Sequence, residues 1–327
     1  MTLVMLFLAA ILFIGAEYQS DSKKFFDKNS SNAMRGFWCL VIVLVHIPSM
    51  YQNRIQNMIG SFAYIGVTFF FMTSAYGLRL SIEKNPDSIK HFWRKRLPKL
   101  IVPCILVNIV ELGINAIQKE QISIVKILYI NQWVQWLLVC YMFFWITYRF
   151  VKKNRDLIIC SLVVGFSLCI YFFDIHITQT TWCTEVFGFL YGILLFNEKE
   201  RIYKWVNQEW IKKSIFFCLA GIGIGGVYLQ FKEVWFLGDY FLKIILGISI
   251  IIIMLAFNIQ FKIGNKISLF LGNISYEIYL LQWTVMALVT SFHLNNSGIY
   301  IIAVLLITIL IAWIVHKIVN LVWKILI

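Results

Sequence analysis

The chain is poor in charged residues, in acidic residues and in proline. Only 14% of its 327 residues are charged, and it contains 16 Asp and Glu residues and four prolines. A soluble domain has about 25% charged residues, so the composition excludes an ordinary soluble globule and a disordered chain. The chain has seven cysteines, which is an odd number, and no two of them form a Cys-x-x-Cys motif. We interpret them as small buried side chains, and we expect neither a disulfide framework nor a metal site.

Apolar side chains dominate the sequence instead. Hydrophobic residues make up 60% of the chain and aromatic residues 17%. The apolar runs have lengths near the roughly 20 residues that a helix needs to cross a bilayer. We therefore predict an all-α, polytopic integral membrane bundle of about eleven transmembrane helices. The predicted spans are 1–16, 33–51, 60–82, 97–118, 133–151, 157–173, 182–196, 214–231, 239–257, 268–291 and 298–323.

Basic residues are distributed unevenly between the two sets of alternating loops. The net charge is +13, from 29 Lys and Arg residues. One set of loops holds nearly all of them, and the other holds only Arg54, Lys119, Lys126, Lys232 and Lys243. Cytoplasmic loops carry such an excess, so we predict an outside N-terminus and a cytoplasmic C-terminus. We attribute the positive charge to membrane orientation and contact with anionic lipid, and expect no nucleic-acid partner.

Two ionisable residues of the second predicted span share one helix face. Arg35 and His46 are eleven residues apart. Eleven steps of about 100° end about 20° from the starting face, with a rise of about 16.5 Å. Ionisable groups inside a span are costly and commonly functional. Arg35 would lie at the cytoplasmic entrance and His46 beyond the middle of the membrane. The structural alternatives are a snorkelling arginine and a histidine that bonds only a neighbouring helix.

A basic and aromatic segment, His-Phe-Trp-Arg-Lys-Arg-Leu-Pro-Lys at 91–99, precedes the fourth span. Its positive charges include Arg94, Arg96 and Lys99. Such a cluster suits anionic lipid headgroups, and it equally suits the phosphates of a nucleotide-containing carrier. The sequence alone leaves both interpretations open.

These motifs together resemble the membrane-bound acyltransferase family 3, the integral-membrane O-acyltransferases. The resemblance rests on the Arg-x10-His pair, a Phe-Phe-x-x-Ser box, a basic entrance to the next span and a late Ser, Tyr and Leu box. The matching positions are Arg35, His46, Phe70, Phe71, Ser74, Arg96, Lys99, Pro103, Ser275, Tyr279 and Leu280. The sequence departs from the family pattern at Ala75, where Gly is usual, and at Gln282, where many members have His.

The resemblance implies a core of about ten spans. Residues 1–32 would then be an extra N-terminal helix and linker, followed by a core bundle of 33–327, within a single domain of 1–327. We expect no hydrolase-like domain of the kind that two-domain members carry. The implied reaction moves an acyl group, most often acetyl, from cytoplasmic acyl-CoA to a hydroxyl of a cell-surface glycan or lipid-linked sugar, at the cytoplasmic membrane.

The implied site divides into donor-binding and catalytic residues. The donor, acetyl-CoA or another acyl-CoA, would be bound by Arg35, Ser74, Arg94, Arg96 and Lys99. His46 would be the general base. Glu185 lies at a depth similar to that of His46, so a hydrogen bond between them would fix the imidazole tautomer. Glu111 and Glu277 are further acids within spans, and His316, near a span end, receives no role.

Two other functions remain open at this point. The first is a transporter or flippase for lipid-linked glycans, since multi-span proteins with internal charges serve both purposes. Such a protein usually has paired interrupted helices in two halves, and the sequence has no such symmetry. The second is a sensor or structural membrane protein, in which Arg35 and His46 only join neighbouring helices.

Overall fold

The computed structural model describes residue 10 and residues 13–18, 25–52, 60–119, 123–178 and 183–326. The prediction of an all-α fold is confirmed, since these residues form eleven α-helices joined by short turns. The helices are α1 Lys28–Val45, α2 Tyr64–Lys84, α3 Phe92–Ile117, α4 Gln132–Phe150, α5 Arg155–Thr178, α6 Phe187–Gln208, α7 Trp210–Phe231, α8 Lys243–Gln260, α9 Lys266–Asn273, α10 Ser275–Thr290 and α11 Ser297–Leu326. Two short strands, β1 Glu17–Tyr18 and β2 Phe261–Lys262, pair antiparallel.

Seven of the described helices are long and apolar enough to cross a membrane. They are α2, α3, α4, α5, α7, α8 and α11, some of them counted with the turn that precedes them. The chain is therefore a helical membrane bundle. Helices α1 and α6 overlap the predicted spans 33–51 and 182–196, and α10 overlaps the later part of 268–291, but these helices are shorter or more polar. The count of eleven and the orientation stay predictions, and the predicted span 1–16 lies mostly outside the described residues.

The predicted span 268–291 is two helices in the structure, so this part of the prediction is wrong. Helix α9 ends at Asn273 and α10 begins at Ser275, with Ile274 between them. The Ser275 hydroxyl donates to the Gly272 carbonyl at 2.8 Å, which satisfies a backbone acceptor that the break exposes. An Asn265 capping box defines the start of α9. The polar contact at the break itself is therefore the bond from Ser275 to Gly272.

The outer surface of the bundle is apolar. Helix α7 turns a row of large side chains outward, each more than half exposed: Ile211, Ile215, Phe216, Leu219 and Ile222. Soluble proteins rarely expose an apolar patch of this extent, because water solvates it poorly. Hydrocarbon chains solvate such a surface well, so this face is suited to contact with lipid.

Helix α2 lies in the interior of the bundle and positions the Phe-Phe-x-x-Ser box. Phe70 and Phe71 of this box are both buried. Helix α6 approaches α2 so closely that a side chain at Gly188 would overlap the Thr68 carbonyl oxygen. Because α2 is surrounded by α1, α6 and α8, its polar positions near Ser74 face the interior of the protein.

Candidate active site

A cavity of about 610 Å³ opens among α1, α2, α3, α4, α10 and α11. We call it the Arg35 cavity. Its polar and charged lining residues include Arg35, Ser74, Arg96, Lys99, Tyr141, Glu277 and His316. Motif residues of α1, α2 and α3 are far apart in the sequence, and the fold brings Arg35, Ser74, Arg96 and Lys99 to this one cavity.

Two local features of α1 position Arg35. The Asp27 side chain caps the start of the helix by accepting from the Ser30 amide at 2.8 Å. The next residue after Arg35 is Gly36, where a Cβ would come within 2.6 Å of the Ser268 carbonyl oxygen, so α1 and α9 pack backbone to backbone. The Arg35 guanidinium then lies over the ring of Phe70, 5.6 Å from its centroid. This cation–π contact joins the Arg-x10-His motif to the Phe-Phe-x-x-Ser motif.

Helix α3 directs two of its basic side chains into the cavity. Arg96 and Lys99 both line it, and the Lys99 ammonium lies 5.3 Å from the centre of the Trp323 ring. These two positions are about 60° apart around the helix, whereas Arg94 and Arg96 are about 160° apart. Arg94 is accordingly exposed and lies outside the lining. Of the five predicted donor-binding residues, the structure brings together all except Arg94.

Three buried polar atoms on the cavity lining have no hydrogen-bond partner among the described residues. They are Nε of Arg35, Nε1 of Trp133 and Oε2 of Glu277. Leaving such a group unpaired costs about 1–3 kcal/mol, and more if the group is charged. The three residues that carry these two donors and one acceptor all line the Arg35 cavity.

Glu277 and His316 form a pair that the sequence interpretation missed. Glu277 is 3% exposed, and its Oε1 accepts from Nδ1 of His316 at 2.8 Å. The carboxylate also attracts the Arg35 guanidinium electrostatically. The available signal was an acid inside an apolar run, two residues after Ser275 of the late motif. The pair supplies negative charge at a cavity otherwise dominated by cations.

His46 lies at the other end of α1, about 16.5 Å from Arg35 by helix rise. Its Nδ1 is 2.7 Å from the Ile42 carbonyl oxygen. Because a carbonyl only accepts, Nδ1 carries the proton, and Nε2 of the neutral ring holds the lone pair that a base needs. The ring packs edge-on against Trp283, with the two centroids 4.6 Å apart. His46 does not line the Arg35 cavity.

The predicted hydrogen bond between Glu185 and His46 is not formed. Glu185 is 2% exposed; its Oε1 accepts from Lys243 at 2.7 Å and its Oε2 from Thr184 at 2.9 Å. Lys243, at the start of α8, supplies the opposite charge that this buried carboxylate requires. The role of fixing the His46 tautomer belongs to the Ile42 carbonyl instead.

The cysteines of the described chain are all unbridged. Four of the seven are buried, while Cys169 is exposed. Within the described ranges, no three His, Cys, Asp or Glu side chains are grouped so that they could hold a metal ion.

Comparison with known proteins gives one match. A family model described as an acyltransferase domain matches residues 28–317, which is most of the chain. It spans α1 to most of α11 and includes every motif discussed above. No curated protein and no solved structure is significantly similar to the chain. The family match confirms the resemblance that the motifs indicated.

Proposed function

Because the chain belongs to the acyltransferase 3 family, we propose that this membrane acyltransferase transfers an acyl group from acetyl-CoA or another acyl-CoA to a sugar hydroxyl. The single observation that carries the donor assignment is the set of unpartnered polar atoms in the Arg35 cavity. The pantetheine arm of coenzyme A contains two amides. Their carbonyls would accept from Arg35 and Trp133, and an amide N–H would donate to Glu277.

The basic mouth of the cavity suits the other end of the donor. Coenzyme A carries phosphates, and Arg96 and Lys99 line the mouth beside a smaller cavity that adds Lys95. Guanidinium and ammonium groups bind phosphate with charge-assisted hydrogen bonds. The segment 91–99 belongs to the set of loops with the excess of basic residues, which favours a mouth that opens to the cytoplasm. The cytoplasm is the compartment that supplies acyl-CoA.

His46 is the general base in this proposal. Its Nε2 takes the proton from the acceptor hydroxyl, whose oxygen attacks the thioester carbonyl carbon and forms the new C–O ester bond. The C–S bond breaks, and the thiolate of coenzyme A takes up the proton that His46 holds. The products are the acylated sugar and free coenzyme A, and the base returns to its starting form.

The acceptor in this proposal is a hydroxyl of a cell-surface glycan or of a lipid-linked sugar in the cytoplasmic membrane. Glu185 is assigned to the ion pair with Lys243 and not to the reaction. The match to an acyltransferase domain favours this enzyme over the flippase that the sequence left open. The cavity also favours it, since its polar atoms suit a slender amide-containing arm.

The decisive experiment separates donor binding from transfer. Full-length protein is purified in detergent, and binding of acetyl-CoA is measured beside transfer of its radiolabelled acetyl group to isolated surface glycan. We expect His46→Gln to bind acetyl-CoA normally and to transfer about 10²–10⁴-fold more slowly. His91→Gln, which changes an exposed histidine outside the cavity, is the matched control and retains both activities.

Two outcomes would overturn the proposal. If the wild-type protein, shown by gel filtration to be folded, fails to bind acetyl-CoA, the donor assignment is wrong. If folded His46→Gln transfers at the wild-type rate, His46 only joins neighbouring helices and the base lies elsewhere.

A further inference from the structure

A second cavity, of about 360 Å³, lies on α3, α4 and α10. We call it the Glu111 cavity. Its lining includes Asn108, Glu111, Tyr129, Gln132, Trp283 and Thr284. Glu111 is twelve residues after Lys99 on α3, a rise of about 18 Å, so this cavity lies toward the opposite end of the bundle from the basic mouth.

An aromatic layer separates the two cavities. The Tyr276 hydroxyl donates to the Leu100 carbonyl at 2.9 Å and lies 3.2 Å from the sulfur of Cys104. The ring of Trp133, which lines the Arg35 cavity, lies 5.1 Å from that of Tyr279, which lines the Glu111 cavity. The same three helices thus present one cavity on each side of Trp133 and its neighbours.

The Glu111 cavity adjoins the proposed base. Trp283 is 55% exposed and lines the cavity, and its ring contacts His46 at 4.6 Å between centroids. The preceding residue, Gln282, is 1% exposed, and its side chain lies against the His46 ring. A ligand in this cavity is therefore close to the end of α1 that carries His46.

The charge of this cavity is opposite to that of the first. No Lys, Arg or His stands among its described lining residues, and Glu111 forms no ion pair with any described residue. A half-buried carboxylate without a cation in an apolar bundle is costly unless a ligand donates hydrogen bonds to it. The volume lies in the range of roughly 300–1,000 Å³ that is typical of small-molecule pockets.

We propose that the Glu111 cavity is the acceptor site and that it binds an uncharged pyranose ring. Glu111 accepts hydrogen bonds from ring hydroxyls, and the exposed Trp283 presents an aromatic face to the ring C–H groups. Amide groups of Asn108 and Gln132 line the same cavity. An anionic sugar or a phosphate is disfavoured, because Glu111 would repel it without a nearby cation to compensate. This assignment rests on the proposed acyltransferase function.

The test uses full-length protein in lipid nanodiscs with radiolabelled acetyl-CoA. The acceptor probes are the methyl glycosides of glucose, galactose and N-acetylglucosamine, which are neutral, and methyl glucuronide, which is anionic. We expect transfer to at least one neutral glycoside and a much higher KM for the glucuronide. Glu111→Gln should raise the KM for the neutral glycoside roughly 2–10-fold, because the amide oxygen still accepts but carries no charge, while the Kd for acetyl-CoA stays unchanged.

Additional variants guard against misfolding and non-specific effects. Glu111→Asp keeps the charge and should lose less than Glu111→Gln. Trp283→Ala should raise the acceptor KM roughly 2–10-fold, and Trp283→Phe should recover part of that loss. Glu83→Gln, an exposed acid on α2 outside the cavity, is the matched control and should behave as wild type.

The results that overturn this site differ from those that overturn the proposed function. The acceptor site is wrong if a preparation that binds acetyl-CoA acetylates none of the neutral glycosides. It is also wrong if it uses the glucuronide equally well, or if Glu111→Gln and Glu111→Asp leave the acceptor KM unchanged. A wild-type protein that does not bind acetyl-CoA at all instead removes the donor assignment.

Discussion

Two buried carboxylates of this protein look alike and differ in one respect. Glu185 is 2% exposed and bonds Lys243 at 2.7 Å, and Glu277 is 3% exposed and bonds His316 at 2.8 Å. Both oxygens of Glu185 have partners, whereas Oε2 of Glu277 has none and its residue lines the Arg35 cavity. A buried carboxylate whose two oxygens both have partners supports the fold, whereas we infer that one with an unpartnered oxygen at a cavity interacts with a ligand.

The Glu185 pair joins two helices to the segment that precedes a third. Lys243 begins α8 directly after a π-helical turn, Leu237–Leu242. Its ammonium bonds Glu185 and lies 4.8 Å from the centre of the Tyr64 ring, and its carbonyl accepts from the Tyr64 hydroxyl at 2.8 Å. Tyr64 starts α2, so the pair connects the beginnings of α2 and α8 to the segment before α6.

Of the effects that test this comparison, we expect the largest to be the loss of stability when Glu185 is replaced. Removing one member of a buried pair leaves the other charge uncompensated, which destabilises a protein by about 3–5 kcal/mol. We expect Glu185→Ala to lower the free energy of unfolding by about that amount, measured by thermal or denaturant unfolding in detergent. The Kd for acetyl-CoA of the folded fraction should not change. The control is Glu200→Ala, an exposed acid on the neighbouring helix α6.

The opposite result would contradict the assignment of Glu185 to stability alone. If Glu185→Ala unfolds at the wild-type temperature and yet loses acyl transfer, then Glu185 acts in the reaction. The double variant Glu185→Met with Lys243→Met sharpens the result, because removing both charges should recover much of the lost stability.

The sequence predicted the Arg35 cavity better than it predicted the partners of the buried acids. The resemblance to the acyltransferase family implied that Arg35, Ser74, Arg96 and Lys99 share one site, and these four residues line one cavity. The partner of Glu277 is 39 residues away and that of Glu185 is 58 residues away. Membrane depth, the one quantity that the sequence offered, does not specify which helices are neighbours.

The structure differs from the sequence-based prediction in two further places, at Arg94 and in the run 268–291. Arg94 was grouped with the donor-binding residues because it is close in sequence, but helical periodicity places it about 160° from Arg96. The run 268–291 is apolar enough to be predicted as one span, but the helix is interrupted at Ile274, where α9 ends and α10 begins. Hydropathy averages over a window and does not detect such a break.

The next largest effect concerns donor affinity. Arg35→Ala removes a charged donor and its contact with Phe70 from the Arg35 cavity. We expect the Kd for acetyl-CoA to rise about 10–150-fold, and some transfer to return at high donor concentration. Isothermal titration in detergent measures the change. Arg94→Ala is the matched control, since it removes an exposed arginine from the same basic segment; an equal loss in both variants would contradict the assignment of the cavity.

Glu277→Gln tests whether the unpartnered Oε2 of Glu277 binds the donor. The amide keeps the length of the side chain but replaces a charged acceptor, so we expect the Kd for acetyl-CoA to rise roughly 2–10-fold. S-acetyl-pantetheine, which lacks the nucleotide, should show the same ratio, because Glu277 lies beside Arg35 and Trp133 and not at the basic mouth. A change in stability like that of Glu185→Ala, with an unchanged Kd, would mean that the two carboxylates do not differ after all.

The smallest expected effect comes from Lys99 at the mouth of the cavity. Its ammonium is exposed and lies over Trp323, so solvent and salt screen its attraction to a phosphate. We expect Lys99→Ala to raise the Kd for acetyl-CoA by up to about fivefold at low salt, in line with exposed ion pairs of 0.2–1 kcal/mol. The effect should vanish at about 1 M salt, where the screening length falls to about 3 Å. It should also be absent for S-acetyl-pantetheine, which has no nucleotide phosphates for Lys99 to attract.

Titrations with both donors at low and high salt therefore distinguish a phosphate contact at the mouth from an amide contact beside Arg35. If the loss of donor affinity in Lys99→Ala persists at high salt, or is equal for the two donors, Lys99 contacts the pantetheine arm. The proposed orientation of the donor, with its phosphates at the mouth, would then be wrong.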